Sequence, residues 1–386
     1  MRGIPHLVER PARTSRRFDR FKAGAGRPAW IGATLAAKVS VPDQPRLFEA
    51  VGEPERADGL FPVPGRSGGD GKRRGKGRRP AGDATEDLEA LAARLESTGR
   101  YRVLRRFETR LDGPPRPDEA AGLRKGVYLD VETTGTAPHD RITELALLVF
   151  HYDDSGRVAR VSQAFDALED PERRIPAEVV ALTGITDDMV RGKRIDDGEV
   201  EAIVRGAEIV VAHNAGFDRY YVESRFPFFR DLPWACSVND VDWAAAGFRS
   251  RRLEQLALAR GYFYQAHRAI HDCHVALGLL GDPLFDGGPT ALSDLLARSS
   301  RETVRLWAEG SPFEKKDELK ARYYRWNGQA KVWWRDLPAD DHEAELEWLA
   351  SSVYTRRPPL PYLRFDARLR YSPRVPEAPP PGAERL

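Results

Sequence analysis

The amino-acid sequence predicts an α/β protein, and three observations carry that prediction. Short apolar runs closed by turn residues, such as "KGVYLDVETTG" and "AEIVVAHN", read as buried strands. Stretches with apolar residues at helical spacing, such as "DGEVEAIVRG", "SRRLEQLALARG" and "HDCHVALGLL", lie between and after them. The two kinds of segment interleave from about residue 124 to 284, the pattern of helices packed on a sheet. At 386 residues the chain exceeds one ordinary domain, so two or three units are expected.

In chain order, residues 1–82 read as a disordered basic tail, rich in Gly, Pro and Arg and without a sustained period. A lead-in over 83–123 begins with a helix carrying Leu88, Leu91, Ala92 and Leu95 on one face, with Thr85 as N-cap and Gly99 as its stop. "RYRVLRRF" then alternates like a strand. Within 124–284, strands are predicted at "KGVYLDVETTG", "RITELALLVFHY", "RVARVSQAFDAL" and "AEIVVAHN". Helices are predicted at "PAEVVALTGI", "DGEVEAIVRG", "FDRYYVESRF", "SRRLEQLALARG" and "HDCHVALGLL". Residues 285–372 read as a small α+β domain, with strands "TVRLWAEG", "AKVWWRDL" and "PYLRFDARLRY" and helices "PFEKKDELKARYY" and "HEAELEWLASSVY". Residues 373–386, "PRVPEAPPPGAERL", read as a disordered tail.

Composition narrows the function classes. No apolar run approaches the ~18 residues of a membrane span, and the N-terminus lacks a signal peptide's apolar stretch, so a cytoplasmic location is expected. Cys236 and Cys273 are too few and too far apart for a disulfide framework and read as reduced buried thiols. The net charge of +2 hides a net of +10 over residues 1–82 against −8 over the rest. A basic tail on an acidic body suggests a polyanionic partner for the tail and a cation site in the body.

Inside the tail, "QPRLF" places Gln44, Leu47 and Phe48 on the fixed positions of the QxxLF peptide, which it resembles. Replication and repair proteins use that peptide to dock on the bacterial sliding clamp, so the resemblance implies a clamp partner; a segment folding back onto the body is the alternative. In the C-terminal unit, five tryptophans between Trp307 and Trp348 are interleaved with Lys315, Lys316, Lys320, Arg322, Arg325, Lys331 and Arg335. Most of these tryptophans are expected in a small core; Tyr323, Tyr324 and Arg325 are the better candidates for an exposed strand-binding face.

The chemistry concentrates in three places. Asp130 and Glu132 lie two apart on a predicted strand and so leave the same face; adjacent acids there suit Mg²⁺ or Mn²⁺, which take oxygen ligands. Asp218 falls in the first turns of the helix after "AEIVVAHN", where it either points back over the strand ends or complements the helix dipole. Asp272 lies at the start of a helix, with His267 five residues earlier in an open lead-in. A zinc site from His267, His271, Cys273 and His274 is a competing reading, but four ligands within eight residues rarely close a tetrahedron, and the acids would then have no role.

Together Asp130 and Glu132, Asp218 in H-N-A-x-F-D, and His267 with Asp272 as H-x4-D resemble, in order and spacing, the motifs of the DEDDh, or DnaQ-like, 3'→5' exonucleases. That family includes the epsilon subunit of bacterial DNA polymerase III, ribonuclease T and oligoribonuclease. The resemblance covers about 124–284 and implies a ribonuclease H-like exonuclease domain with a mixed five-stranded sheet. It further implies two Mg²⁺ or Mn²⁺ ions held by Asp130, Glu132, Asp218 and Asp272, with His267 as general base. Thr133, Thr134, Gly135, Asn214 and Phe217 are then expected near the terminal nucleotide. The implied partner is single-stranded nucleic acid, with the clamp or a polymerase in trans. An adaptor with a vestigial nuclease site is the alternative, and Asp130→Ala would leave the activity of such an adaptor intact.

Overall fold

A computed structural model of the chain describes residues 84–385. The basic tail, with Gln44, Leu47 and Phe48, lies outside the described residues. The central sheet has five strands: β1 (Arg124–Thr133), β2 (Ile142–Tyr152), β3 (Val158–Leu168), β4 (Ile209–Ala212) and β5 (Trp234–Cys236), in the order β3-β2-β1-β4-β5. β1, β2 and β3 form an antiparallel meander, whereas β4 and β5 run parallel to β1. The mixed sheet expected from the sequence is therefore present. β5 escaped sequence reading because its three residues, all buried, are too few to show a period.

Each face of the sheet is buried under helices. On one face Val127, Leu129 and Val131 of β1 pack with Val200, Ile203 and Val204 of α3 (Asp197–Val204) and Val222 of α4 (Ala215–Arg225). On the other, Tyr128, Ala146 and Leu148 pack with Cys273, Ala276, Leu277 and Leu280 of α6 (Ala269–Gly281). Between these helices in the chain runs α5 (Leu253–Ala259), and α7 (Ala291–Ser299) follows. Upstream, α2 (Ala177–Thr183) ends at Gly184, whose φ of +73° is the left-handed stop that glycine adopts without a Cβ penalty. In the lead-in, α1 (Ala84–Ser97) forms as expected, while the strand read at "RYRVLRRF" shortens to Arg105–Arg106, paired with Tyr262–Phe263.

The C-terminal unit is a second five-stranded sheet, wholly antiparallel: β6 (Thr303–Ala308), β7 (Arg325–Asn327), β8 (Val332–Pro338), β9 (Pro361–Phe365) and β10 (Glu384–Arg385) in the order β10-β9-β6-β8-β7. α8 (Lys316–Ala321) and α9 (His342–Ser352) supply Leu319, Leu346 and Leu349 to its core. Trp307, Trp333 and Trp334 are buried, as a small core needs. Tyr324 is also buried, correcting its assignment to an exposed face, because its ring joins the Leu319 and Trp333 cluster.

Residues 373–385 are not the disordered tail their Pro-rich composition suggested. Val375 is buried, the Trp307 indole N–H donates to the Glu377 carbonyl (2.9 Å), Arg305 donates to the Val375 carbonyl (3.0 Å), and Glu384–Arg385 pairs with β9. Buried indole and guanidinium donors need acceptors, and this segment provides them without any regular period that composition could reveal. No helix among the described residues is long and apolar enough to cross a membrane.

Candidate active site

The geometry of the site starts with β1. Its neighbour β4 pairs with it only up to Leu129↔Ala212, so the carboxyl end of β1 runs on past that pairing. This is also where the sheet changes from antiparallel to parallel, the kind of strand end at which α/β sheets place ligands. Asp130 and Glu132 leave β1 on the face covered by α6, and α6 carries Asp272 in its first turn. One carboxylate oxygen from each of Asp130, Glu132 and Asp272 lies within 4.8 Å of the others.

Asp218 approaches from the opposite face. α4 begins directly after the turn that follows β4, and Asn214 enters it with φ +75°, a left-handed conformation that asparagine tolerates. This turn sets Asp218 in the first turn of α4, buried, with Oδ1 accepting the Val131 N–H at 3.2 Å. That N–H lies beyond the end of β4, so the carboxylate replaces a missing ladder partner. Its acid field reaches the other three groups, but the three that converge on one point are Asp130, Glu132 and Asp272.

The electrostatics follow from burial. Desolvation, with the charges of Asp218 and Asp272 next, holds the Asp130 carboxyl well above its ordinary range. Burial followed by the charge of Asp272 pushes Glu132 up to about 8, and burial raises Asp218 to about 8 as well. Asp272 rises less, to about 6, because burial is opposed by the Tyr264 hydroxyl, which donates to its Oδ1 at 2.8 Å, and by the Arg268 N–H at 3.2 Å from Oδ2. Four carboxyls pressed together in a partly dry pocket disfavour ionisation unless a cation offsets them.

His267 stands half-buried beside Asp272, its backbone at φ +64°. A left-handed non-glycine residue costs about 1 kcal/mol or more, and such strain persists where the surroundings fix it. The fixing group is Glu144 of β2, which the sequence did not single out. It faces Glu132 directly across the strand pair and is fully buried. Its Oε1 accepts from Arg268 Nη2 (2.6 Å) and Nε (3.0 Å), and its Oε2 accepts the Ala269 N–H (3.0 Å) at the N-terminus of α6. An acid at the fourth position of "RITELALLVF" has no sequence signal that ties it to Arg268, 124 residues away.

Of the remaining expected residues, Thr133 and Thr134 are buried, with hydroxyls spent inside the turn on the Gly135 carbonyl (2.5 Å) and Asp140 Oδ1 (2.8 Å). A Cβ on Gly135 would stand 2.5 Å from Asp140 Oδ2, so this turn accepts only glycine without shifting Asp140. Phe217 is half-buried against the α3 and α4 core and meets Tyr221 edge to face at 5.0 Å. His213, unassigned from sequence, is driven down to about 4 by burial; its Nε2–H donates to the Arg251 carbonyl (2.9 Å) and its Nδ1 accepts from Ser237 (2.8 Å). The zinc alternative fails geometrically. Cys273 is buried with its Sγ toward the Ala146 carbonyl, His274 is buried, and His271 Nδ1 faces the Gln265 carbonyl. Both cysteines are free and buried, as expected.

The comparisons with known proteins fall on this same region. The family model for exonucleases of the RNase_T type matches residues 127–280. The chain is 34% identical over 161 residues to the DNA polymerase III subunit epsilon of Treponema pallidum (strain Nichols), a match covering 39% of this chain and 72% of that protein. It is 32% identical over 174 residues to the PolC-type DNA polymerase III of Bacillus subtilis (strain 168), of which it spans only 11%. Among solved structures, exonuclease X in complex with 5' overhanging duplex DNA aligns over 45% of this chain and 99% of that chain, at 26% identity and a TM-score of 0.35. A match that spans 72% of the Treponema subunit at this identity places the chain in the exonuclease family of DNA polymerase III epsilon, and with it among the enzymes that hydrolyse phosphodiesters.

Proposed function

We propose that this protein is a metal-dependent 3'→5' exonuclease that removes nucleoside 5'-monophosphates one at a time from the ends of single-stranded DNA or RNA. The observation that carries the proposal is the convergence of Asp130, Glu132 and Asp272 within 4.8 Å. An all-carboxylate donor set suits Mg²⁺ or Mn²⁺, and burial together with neighbouring acids disfavours ionisation of Glu132 and Asp218, which a divalent cation would offset. Two such ions held by these three residues and Asp218 would polarise the scissile phosphate and make a water molecule acidic enough to attack it.

The chain's own groups supply the rest. Tyr264 and the Arg268 N–H fix the two oxygens of Asp272, so its carboxylate presents one orientation toward Asp130 and Glu132. Glu144 anchors Arg268 and Ala269, which holds the chain immediately after His267. The His267 ring, in the lead-in and not on the helix, takes the proton of the attacking water. Gly135 and Asn214, at the turns after β1 and β4, border the position of the 3'-terminal nucleotide. The Treponema relative is a DNA polymerase III subunit, which supports a replication or repair role with a polymerase acting in trans. The exonuclease unit spans 124–284, and the C-terminal unit follows it.

Digestion of strands labelled at either end, with Mg²⁺, tests the reading. A 5' label is expected to descend through a ladder while a 3' label appears at once as mononucleotide. His267→Ala is expected to be slower by about 100-fold or more. Early release of the 5' label, or wild-type rates in that variant, overturns the proposal.

A further inference from the structure

The C-terminal unit exposes a group of side chains that its own core does not use. Trp326 is 50% exposed, whereas Trp234, Trp243, Trp307, Trp333 and Trp334 are all buried. It lies in the middle of β7, the edge strand of the second sheet, directly across from Trp333, with ring centroids 5.3 Å apart. The buried Trp333 thus backs one side of the Trp326 ring while the rest faces outward. Tyr323, two residues before β7, is 64% exposed and has φ +67°. It occupies the left-handed position just after α8, where glycine is the ordinary residue and a Cβ costs about 1 kcal/mol. An exposed ring gains no packing in return for that cost, so folding alone does not account for a tyrosine here.

Charge around these rings is positive. Lys320 and Lys331 are exposed and pair with no carboxylate among the described residues, whereas Arg325 leaves β7 on the other face of the sheet, over the Trp334 ring at 5.2 Å. Lys331 is itself left-handed, with φ +52°, at the far end of the β7–β8 turn. The acids of this segment, Glu314, Asp317 and Glu318, sit on α8 and its approach, and Glu318 is already held by Lys315 at 2.9 Å. Exposed aromatic faces interleaved with unpaired cations match single-stranded nucleic acid, whose bases stack and whose phosphates pair. A duplex hides its base faces, and an apolar peptide has no use for the cations.

We propose that the β7 edge and the preceding turn form a second binding surface for single-stranded nucleic acid, with bases stacked on Trp326 and Tyr323 and phosphates on Lys320 and Lys331. It deepens the exonuclease reading and rests on it for the identity of the bound strand as substrate. Fluorescence anisotropy of a labelled oligothymidylate with the full chain in EDTA measures binding without cleavage. Trp326→Ala and Tyr323→Ala are each expected to weaken binding by roughly 5- to 20-fold, the usual effect of removing one stacking platform. Lys320→Ala with Lys331→Ala should flatten the dependence of log Kd on log salt by about 1.4, at about 0.7 per phosphate contact on a single strand. Hydrolysis of a mononucleotide p-nitrophenyl ester, held by the active site alone, should be unchanged in all these variants, and this also shows that they fold. Wild-type binding in Trp326→Ala and Tyr323→Ala overturns the surface. So does a dimer that Trp326→Ala dissociates while strand binding stays intact. Ester hydrolysis absent from the wild type would instead count against the nuclease reading and leave the anisotropy result to be judged alone.

Discussion

The smallest decisive feature is the Glu144 carboxylate. It touches no residue proposed to meet substrate, yet it holds both Arg268 and the first N–H of α6, and so fixes where His267 and Asp272 stand. Glu144→Gln keeps the shape but weakens the charge-assisted bonds to Arg268. Turnover is expected to fall by roughly 10- to 100-fold, as when the outer partners of metal ligands are changed, with KM for a short strand little altered. A fall in KM without loss of turnover would contradict this role. Also at this scale, carboxyls whose folded pKa is raised above the unfolded value bind extra protons in the folded state. Metal-free stability should therefore decline as pH rises from about 4 towards about 8, the span over which Glu132 and Asp218 lose them. Mn²⁺ should offset this, with a thermal shift larger at pH 8 than at pH 5; calorimetry at the two pH values checks it. The three acids that the fold brings together, Asp130, Glu132 and Asp272, were legible in the sequence through their order and spacing around apolar runs. Glu144 and Tyr264 were not, because their roles depend on register and on a loop that returns to the sheet.

At the scale of the element, α6 shows how a local rule is overridden by packing. Gly278 lies inside this helix, where glycine normally costs about 0.5–1 kcal/mol relative to alanine. A Cβ there would run into the Phe107 ring, which belongs to the lead-in segment. Gly278→Ala is therefore expected to destabilise the protein by about 1–3 kcal/mol in denaturant titration. In a Phe107→Ala background the same change should stabilise it. If Gly278→Ala stabilises on its own, the lead-in does not rest on α6. Periodicity made α6 and the long strands β1, β2 and β3 readable. The three-residue strands β5 and β7 were not, since they are defined by neighbours and not by their own pattern. Tyr324, expected on an exposed face, is buried, while Trp326 on the edge strand is half exposed, and neither follows from the pattern of "YYRW" alone.

Across the whole molecule, the C-terminal chain is a structural part of the exonuclease unit. Arg219 of α4, fully buried, pairs with Glu223 at 2.5 Å and donates to the carbonyls of Arg370 (2.6 Å) and Arg368 (2.5 Å). Ser372 donates to the other oxygen of Glu223 at 2.8 Å, and Tyr371 donates to Asp240 at 3.0 Å. Removing residues 366–386 takes the Arg368 and Arg370 carbonyls away from a buried guanidinium, so truncation after Phe365 is expected to lower the Tm of the exonuclease unit and not merely unfold the second sheet. Breaking the Arg219 pair alone by Arg219→Met should also lower the melting temperature, because the buried Glu223 loses its 2.5 Å partner and keeps only Arg374 at 3.3 Å and the Ser372 hydroxyl. Unchanged melting in both variants would contradict this coupling. The sequence could not show this coupling, because carbonyl acceptors are common to every residue and leave no compositional trace.

The central claim is that Asp130, Glu132 and Asp272 together hold the divalent cations that hydrolysis requires. Its most direct test is the rate of nucleotide release from a single strand as Mn²⁺ is titrated into wild type and Asp272→Asn, with folding confirmed by circular dichroism. The account predicts saturable, metal-dependent release by the wild type and a rate lower by at least about 100-fold in the folded variant. Release without any divalent cation, or wild-type rates from Asp272→Asn, would contradict it.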